Sequence, residues 1–452
     1  MNRLIRALSL FLYQILLVLL GPWILLARFL QGKRLPGLKE RLACYPELRR
    51  SALSRLKRPI CIHLVSVGEV LGARPLIEEL RRRFQERGWV ITTTTPTGRE
   101  VAQKSLQDSK TEVLYLPWDF SPVVRRAIRT IRPELFLCFE TELWPVLFHE
   151  LASAGVPIAV VNGRISPAAY RRYLWVRPLM EQALSPVALF LTQSPQDARR
   201  YAAIGAAKDR LVVTGNLKWD VPVSLSSDGA GPDRLRALLN LTPVQLLWTA
   251  GSTHPGEERI LLQVHKQLKG QWPQLRLLIA PRHPERIPEI EQEAERAGLK
   301  SVRRSQLGEV SRGQALLGSD AVILLDTLGE LTSFYRISHL VFVGGSLVPH
   351  GGHNLVEPAA LSRPILTGPH LHNFQAVSEA LRQPNAILIV QSAEDLEQAV
   401  RRLLQDPAQA LGLGKRAHAV FQENQGAARR TADLITVRWG NRLRAGEKVR
   451  DA

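Results

Sequence analysis

Short, continuously apolar segments alternate with amphipathic helical segments along almost the whole chain after residue 59. Continuous apolar strands separated by helices are typical of a parallel sheet that helices cover on both faces. The first series of predicted strands is Ile60–Val65, Val90–Thr95, Val113–Pro117, Leu135–Phe139, Ile158–Asn162, Leu189–Gln193 and Leu211–Thr214. The second series is Leu246–Ala250, Leu275–Ala280, Ala321–Leu325, Leu340–Val343, Ile365–Thr367 and Ile387–Val390.

A segment rich in Ser, Gly, Pro and Asp, Val221–Pro232, separates the two series and has the composition of a linker. We therefore predict an α/β fold with two doubly wound, Rossmann-like domains, residues 31–225 and 233–425. A long helical tail, roughly Ala408–Trp439, is predicted to close the chain, with residues 426–452 forming a C-terminal helix and tail. Ligands of open α/β sheets bind beyond the carboxyl ends of the strands, so we expect the site in a cleft there.

The segment Ala7–Ala27 contains 21 uncharged and mostly apolar residues, which is long enough to cross about 30 Å of hydrocarbon. It predicts a membrane anchor over residues 1–30. Ten Lys and Arg against two Glu between Arg28 and Arg58 favour attraction to anionic lipids and a cytoplasmic location for the following domains. Gln14 and the Gly21-Pro22 step leave a helix lying in the membrane interface as the alternative to a spanning one.

The net charge of +19 suits nucleic acid, an anionic membrane or an acidic substrate. Aromatic residues are not interleaved with the basic ones, so a nucleic-acid partner is disfavoured.

The three cysteines have no metal-ligand spacing and no close pair, which agrees with a reducing cytosol.

Carboxylates follow two predicted strands of the first domain. Ser66, Gly68 and Glu69 lie at a strand-to-helix turn, where Glu69 can act as a general base. The alternative is a helix-start glutamate that the helix dipole favours. Glu140 and Glu142 follow another strand and can orient a cation, hold an acceptor or cap the next helix.

Arg164 and Lys218 follow two further strands of the first domain, and Lys218 can neutralise charge on a substrate or a transition state. With the polar segment Thr93–Gly98 after a fifth strand, these strand ends indicate a site rather than isolated surface positions.

In the second domain, Gly344–Pro358 is a glycine-rich loop that leads into a helix. We expect free backbone N–H groups and the helix N-terminus to hold a phosphate, and Glu357 to accept bonds from ribose hydroxyls. Arg282 is the expected phosphate partner, with His254 and His283 as second contacts. An ordinary strand–loop–helix junction is the alternative.

An ordered set of motifs resembles the Kdo transferases of lipopolysaccharide assembly, which have the GT-B glycosyltransferase fold. The matching segments are His63–Glu69, Glu140–Pro145, Gly215–Asp220, Pro281–Arg286, Leu328–Glu330 and Gly351–Pro358. Together with the N-terminal apolar segment, they extend the resemblance over essentially the whole chain.

The resemblance implies transfer of 3-deoxy-D-manno-oct-2-ulosonic acid (Kdo) from CMP-Kdo to a lipid A precursor, lipid IVA, at the cytoplasmic face of the inner membrane. It implies that Glu69 is the base, and that Glu140 or Glu142 and Lys218 support the transition state or the acceptor. The residues implied to contact CMP are Pro281, Arg282, Leu328, Gly329, Glu330, Asn354, Leu355, Val356 and Glu357. Further cleft residues are Ser66, Gly68, Arg164, Ser252 and His353.

No Asp-x-Asp motif follows a strand, so we expect a metal-independent reaction without a cofactor. A single base without an evident nucleophile favours inversion. Two alternatives remain: a membrane-associated GT-B enzyme with a UDP-GlcNAc-type donor, and a non-enzymatic peripheral protein that binds a nucleotide or lipid.

Overall fold

The computed structural model describes residues 2–30, 36–220, 231–307 and 321–445. The chain divides into two compact units, of which the first comprises Met1–Val221 and Gln425–Ala452 and the second comprises Pro222–Asn424. The predicted linker Val221–Pro232 lies almost entirely outside the described residues.

The first unit contains a seven-stranded sheet whose strands are all parallel. Its strands are β1 Ile60–His63, β2 Trp89–Thr93, β3 Thr111–Tyr115, β4 Leu135–Phe139, β5 Ile158–Gly163, β6 Leu189–Thr192 and β7 Leu211–Val213. Its helices up to β7 are α1 Asn2–Leu30, α2 Leu38–Arg41, α3 Glu47–Arg55, α4 Val67–Arg83, α5 Pro96–Leu106, α6 Ser121–Ile131, α7 Pro145–Ser153, α8 Pro167–Trp175, α9 Arg177–Leu184 and α10 Pro195–Ala203.

The strand order of this sheet is β3-β2-β1-β4-β5-β6-β7, so the order reverses between β1 and β4. All residues of β1, β2 and β4 are buried, as expected for strands with helices on both faces. The reversal leaves a crevice beyond the carboxyl ends of β1 and β4, which is where such sheets bind ligands.

The second unit repeats this architecture with another parallel sheet of seven strands. Its strands are β8 Leu246–Thr253, β9 Leu275–Pro281, β10 Ser301–Arg303, β11 Val322–Leu324, β12 Leu340–Val343, β13 Ile365–Thr367 and β14 Leu388–Ile389. Its helices are α11 Pro232–Leu238, α12 Glu257–Lys269, α13 Ile287–Arg296, α14 Leu331–Ile337, α15 Val356–Ala360, α16 Gln375–Arg382, α17 Ala393–Gln405 and α18 Pro407–Asn424. The order β10-β11-β9-β8-β12-β13-β14 reverses between β8 and β12.

All thirteen predicted strands are confirmed within a few residues, and the α/β fold class with them. The edge strand β10 was not predicted. It contains only Ser301, Val302 and Arg303, of which Val302 alone is fully buried, so it lacks the apolar run that marks the other strands.

The predicted helical tail over Ala408–Trp439 is present as two helices. The helix α18 ends at Asn424, and α19, Ala427–Ala445, begins after Gly426, whose φ is +86°. The two carboxylate oxygens of Asp220 accept hydrogen bonds from the amides of Gly426 (2.6 Å) and Ala428 (2.5 Å). This side chain satisfies two amides at the helix start and ties α19 to the segment after β7.

The predicted N-terminal helix is present as α1. Among the helices that the structure describes, none combines the length and the apolarity that crossing a membrane requires.

We expect Asp220→Ala to destabilise α19 by about 2 kcal/mol, because the substitution removes a helix cap of two hydrogen bonds. Hydrogen–deuterium exchange of peptides covering α19 should then be roughly 30-fold faster, since about 1.4 kcal/mol corresponds to a tenfold change. Asp209→Ala, which alters an exposed aspartate just before β7, is the control. Equal exchange in both variants would contradict the capping role.

Candidate active site

The loops after β1 and β4 lie side by side at the point where the strand order of the first sheet reverses. The loop after β1 carries Ser66, the residue preceding α4, followed by Gly68 and Glu69 in the first turn of α4. The loop after β4 carries Glu140 and Glu142. The fold therefore brings together the two groups of carboxylates that sequence analysis treated separately.

Glu69 is partly buried and bonded within its own turn. Its Oε2 accepts a hydrogen bond from the amide of Val65 at 2.9 Å, and its Oε1 lies 3.5 Å from the hydroxyl of Ser66. Burial raises the pKa of Glu69 to about 8, and the charges of Glu140 and Glu142 also raise it, whereas the bond from Val65 lowers it. A carboxyl group with such a pKa can take a proton near neutral pH.

Glu140 has a left-handed backbone conformation, with φ of 54°, which is uncommon for a residue other than glycine. The hydroxyl of Tyr201 holds it by donating to the Glu140 carbonyl at 2.7 Å. Burial raises the pKa of its carboxyl group, whereas the charges of Lys218 and Arg164 lower it. Strain of this kind persists where surrounding contacts fix the backbone, and it is frequent at functional sites.

Lys218 lies beside these carboxylates in the loop after β7. Its amide donates to Oδ1 of Asn216 at 3.0 Å, and the neighbouring amide of Leu217 donates to Oδ1 of Asn162 at 3.0 Å. Burial lowers the pKa of Lys218, and the charge of Glu140 raises it again. The structure thus places a cation among the carboxylates, and all four predicted catalytic residues belong to one cluster with Arg164.

His63, which the sequence marked only as part of a motif, lies next to the carboxylate cluster. This residue is fully buried at the end of β1, and its Nδ1 contacts the carbonyl and the hydroxyl of Thr92 at 3.1 and 3.0 Å. Its Nε2 lies 3.9 Å from Oε2 of Glu142 and has no hydrogen-bond partner among the residues that the structure describes. A histidine at the end of an apolar strand was the available signal.

In the second unit, the loops after β8 and β12 are adjacent at the reversal of the strand order. Ser252, near the end of β8, has a φ of 55° and is another non-glycine residue in the left-handed region. His254 follows β8, and the glycine-rich loop with His353 follows β12.

Glu257 was not among the predicted residues, yet it organises both of these loops. It is fully buried in the first turn of α12. Its Oε2 accepts hydrogen bonds from the amides of His254 and Gly345 at 2.9 and 2.7 Å. Its Oε1 accepts hydrogen bonds from the amides of Ser346 and Leu347, both at 2.9 Å. Of the loop amides expected to bind an anion, those of Gly345, Ser346 and Leu347 are therefore already occupied by the carboxylate of Glu257.

The imidazole rings of His254 and His353 lie parallel, and their Nε2 atoms are 2.8 Å apart. The ring of His350 is tilted over that of His254, with 3.7 Å between centroids. Burial, together with the charges of neighbouring histidines and of Arg282, lowers the pKa of both His254 and His353 to about 4. Both rings are therefore neutral at pH 7.

The predicted phosphate partner Arg282 follows Pro281 at the end of β9, the strand next to β8. Its amide donates to the carbonyl of Thr253 at 3.0 Å, which fixes the backbone beside His254. Its guanidinium is close enough for its charge to lower the pKa of His254 and His353.

Leu328, Gly329 and Glu330 follow β11, which pairs with β9 on the far side from β8. Leu328 is 84% exposed, so it is available for contact with a flat ligand. Glu330 is bound to Arg304 at 2.9 Å and to the hydroxyl of Thr327.

Asn354 and Glu357 form a local network. Oδ1 of Asn354 accepts the amide of Val356 at 3.0 Å, and its Nδ2 donates to Glu357 at 2.9 Å. Glu357 also accepts the hydroxyl of Thr332 at 2.7 Å. Leu355 and Val356 have buried side chains, so the backbone is the part of these two residues that can contact a ligand.

We expect Glu257→Gln to destabilise the second unit by about 3 kcal/mol, because the new NH₂ group would face backbone donors in a buried place. Hydrogen–deuterium exchange of peptides covering residues 344–347 should accelerate strongly. Glu295→Gln, at an exposed position in α13, is the matched control and should leave exchange unchanged. Unchanged protection of residues 344–347 in Glu257→Gln would refute the organising role.

Comparison with known proteins agrees with this architecture. Residues 36–221 match the family model described as 3-deoxy-D-manno-octulosonic-acid transferase (kdotransferase). A 3-deoxy-D-manno-octulosonic acid transferase of Haemophilus influenzae is 35% identical over 430 residues, which are 94% of this chain and 97% of the relative. A transferase of the same description from Bordetella pertussis is 32% identical over 390 residues, 84% of this chain and 87% of the relative.

Among solved structures, the UDP-GlcNAc 2-epimerase of Neisseria meningitidis bound to UDP-GlcNAc matches with a TM-score of 0.56 and 12% identity. The match covers 83% of this chain and 99% of the epimerase, and at this identity it bears on the fold alone. It supports a two-domain α/β architecture of the GT-B type. From the identity and coverage of the relatives, the chain belongs to the 3-deoxy-D-manno-octulosonic acid transferase family and is a glycosyltransferase.

Proposed function

We propose that this enzyme transfers Kdo from CMP-Kdo to a hydroxyl group of a lipid A precursor, lipid IVA, with inversion and with Glu69 as the general base. The observation that carries this proposal is the cluster at the strand-order reversal of the first sheet. There a carboxyl group with a pKa of about 8 lies among two further carboxylates and the cations Lys218 and Arg164.

The chemistry follows from these groups. Glu69 accepts the proton of the acceptor hydroxyl, whose oxygen then forms a bond to the anomeric carbon of Kdo. The bond from that carbon to the phosphate oxygen breaks, and CMP leaves with the bonding electron pair. A single displacement of this kind inverts the anomeric configuration.

Lys218 and Arg164 have a clear task in this reaction, because Kdo carries a carboxylate and the cluster already holds several negative charges. A preorganised cation in a partly buried site stabilises such charge without reorganisation of solvent. Glu140 and Glu142 then support the oxocarbenium-like transition state or hydrogen-bond the acceptor. This assignment needs no metal ion at the reacting carbon.

For the donor, we assign the phosphate of CMP to Arg282, since the amides of Gly345, Ser346 and Leu347 in the glycine-rich loop are bound to Glu257. Glu357 is positioned by Asn354 and Thr332 and is assigned to the ribose hydroxyls. The backbone of residues 354–357 and the exposed segment Leu328–Glu330 complete the CMP contacts, with Ser252 and His353 beside them.

An acceptor that lies in a membrane requires an enzyme that reaches the membrane. One side of α1 packs on the first unit, where Leu10 is buried, the hydroxyl of Tyr13 donates to Asp119 at 3.0 Å, and Gln14 accepts the hydroxyl of Ser121 at 2.8 Å. The opposite side exposes Leu8, Phe11, Leu12, Ile15, Leu16, Val18, Leu19, Leu20 and Trp23. A helix with one packed and one exposed apolar side suits attachment in the plane of the interface.

A second exposed apolar segment lies where α8 meets α9, and α9 packs against α1. Trp175 is 90% exposed there, and Leu174 and Val176 are also exposed. Arg171 and Arg172 line a hollow together with Trp175. Aromatic and basic side chains in one place suit the headgroup region of an anionic membrane, and we assign the enzyme to the cytoplasmic face of the inner membrane.

The direct test of the proposed reaction is transfer from CMP-Kdo to a bis-phosphorylated, tetra-acylated lipid A precursor, followed by mass spectrometry in the presence of EDTA. We expect Glu69→Gln to lose about 100- to 10,000-fold in rate, because positioned proton transfer contributes about that much. Glu78→Gln, a substitution on the exposed side of the same helix, is the matched control. For the wild type, kcat/KM should rise with pH and level off above about 8.

Full activity of Glu69→Gln with an unchanged pH profile would remove Glu69 from the base role. Product with a UDP-sugar and none with CMP-Kdo would show that the donor is a UDP-sugar, and the assignment of Glu69 as the base would stand.

For the membrane contact, we expect Trp175→Ala to weaken binding to vesicles containing phosphatidylglycerol by about tenfold or more. A large aromatic side chain contributes about 150–250 Å² of apolar surface at roughly 25 cal/mol per Å². Val437→Ala, an exposed apolar residue of α19, serves as the control in vesicle flotation. Equal binding of Trp175→Ala and wild type would show that this segment lies off the membrane.

A further inference from the structure

Three histidines of the second unit converge where the loops after β8 and β12 meet. His254, His350 and His353 each offer one ring nitrogen, and these three atoms all lie within 4.8 Å of one another. His254 is buried and the other two rings are more accessible, so the cluster has an open side.

The backbone of both loops is built to hold this arrangement. Glu257 binds the amide of His254 in one loop and the amides of Gly345 to Leu347 in the other, which fixes the two loops against each other. Gly351 and Gly352, with φ of +109° and +75°, turn the chain so that the rings of His350 and His353 both reach His254. A residue with a side chain is disfavoured at both glycines.

We propose that His254, His350 and His353 form a binding site for a divalent transition-metal ion such as Zn²⁺ or Co²⁺. Imidazole nitrogens bind such ions at about 2.1 Å, which separates two ligand atoms of a tetrahedral shell by about 3.4 Å. The observed separations, 2.8 Å between two of the nitrogens and at most 4.8 Å within the set, bracket this distance.

A hydrogen bond between two rings is the simpler explanation of the cluster, but it accounts for only two of the histidines. One neutral ring can donate to the other across the 2.8 Å between His254 and His353. The ring of His350, stacked 3.7 Å from that of His254, has no part in that bond. A metal ion uses all three.

Two arginines near the cluster affect which ligands the ion can bind. Arg286 is near, but its guanidinium is bound to Glu258 at 2.9 Å and to Glu289 at 3.1 Å, so its charge is offset. Arg282 also lies close and favours an anion as the remaining ligand. With three protein ligands, the ion keeps an open coordination position, which inorganic phosphate can fill.

This site lies beside the CMP contacts proposed above, but its test does not use transfer activity, so the two proposals can fail separately. The untagged, full-length protein is treated with EDTA, dialysed and titrated with Co²⁺ in detergent. We expect visible d–d absorption bands that saturate at one Co²⁺ per chain and disappear on addition of Zn²⁺. His350→Ala should weaken Co²⁺ binding by about 100-fold, because even loss of an outer-shell partner costs about 10- to 100-fold.

His350 and His283 form a matched pair of variants, because both are exposed and both have rings within 6.1 Å of His254. His283→Ala should bind Co²⁺ as the wild type does. Equal affinity of His350→Ala and wild type, or no d–d bands at millimolar Co²⁺, would overturn the proposal.

A second measurement avoids variants altogether. Anomalous diffraction at the zinc edge from wild-type crystals soaked in Zn²⁺ should show a peak among the three rings. Zinc bound elsewhere with none at the three rings would also overturn the proposal.

Discussion

The all-parallel pairing of both sheets is the constraint on which the rest of this structure depends. Central strands such as β1, β2 and β4 are buried at every position between helices on both faces, so the polar residues of the candidate sites lie at the strand ends and in the loops that follow. Where the strand order reverses, between β1 and β4 and between β8 and β12, two such loops diverge and leave a crevice. The carboxylate cluster lies at the first reversal and the histidine cluster at the second.

Each crevice contains a carboxylate with a different role. Glu257 accepts four amide hydrogen bonds, so its charge is satisfied within the protein and its function is to hold loops. Glu69 accepts only one amide bond, and burial, with a smaller contribution from the charges of two further carboxylates, raises its pKa to about 8. The same chemical group is therefore a structural anchor in one unit and the proposed proton acceptor in the other.

Much of the fold could be predicted from the sequence, because a run such as Leu135–Phe139 is apolar at every position and needs no partner to be recognised. The strand β10 was not predicted because it has only three residues and one buried apolar side chain. The break in the helical tail at Gly426 was missed because the cap of α19 comes from Asp220, which lies 206 residues earlier in the chain.

The same limit applies to the site. The strand-end positions of Glu69, Glu140, Glu142 and Lys218 could be predicted from the sequence, and the structure shows that their charges interact. The role of Glu257 could not be predicted, because three of its four amide partners lie 88 to 90 residues away. Whether a loop amide is free to bind a ligand depends on such distant partners, and local patterns do not contain that information.

The central claim is that the first unit holds Glu69 as a base poised near neutral pH. Its most direct test is a titration of the Glu69 carboxyl carbon by NMR in protein labelled with ¹³C at glutamate carboxyl groups, with Glu69→Gln providing the assignment. We expect a midpoint of about 8. A midpoint near 4.5, the ordinary value for glutamate, would contradict it.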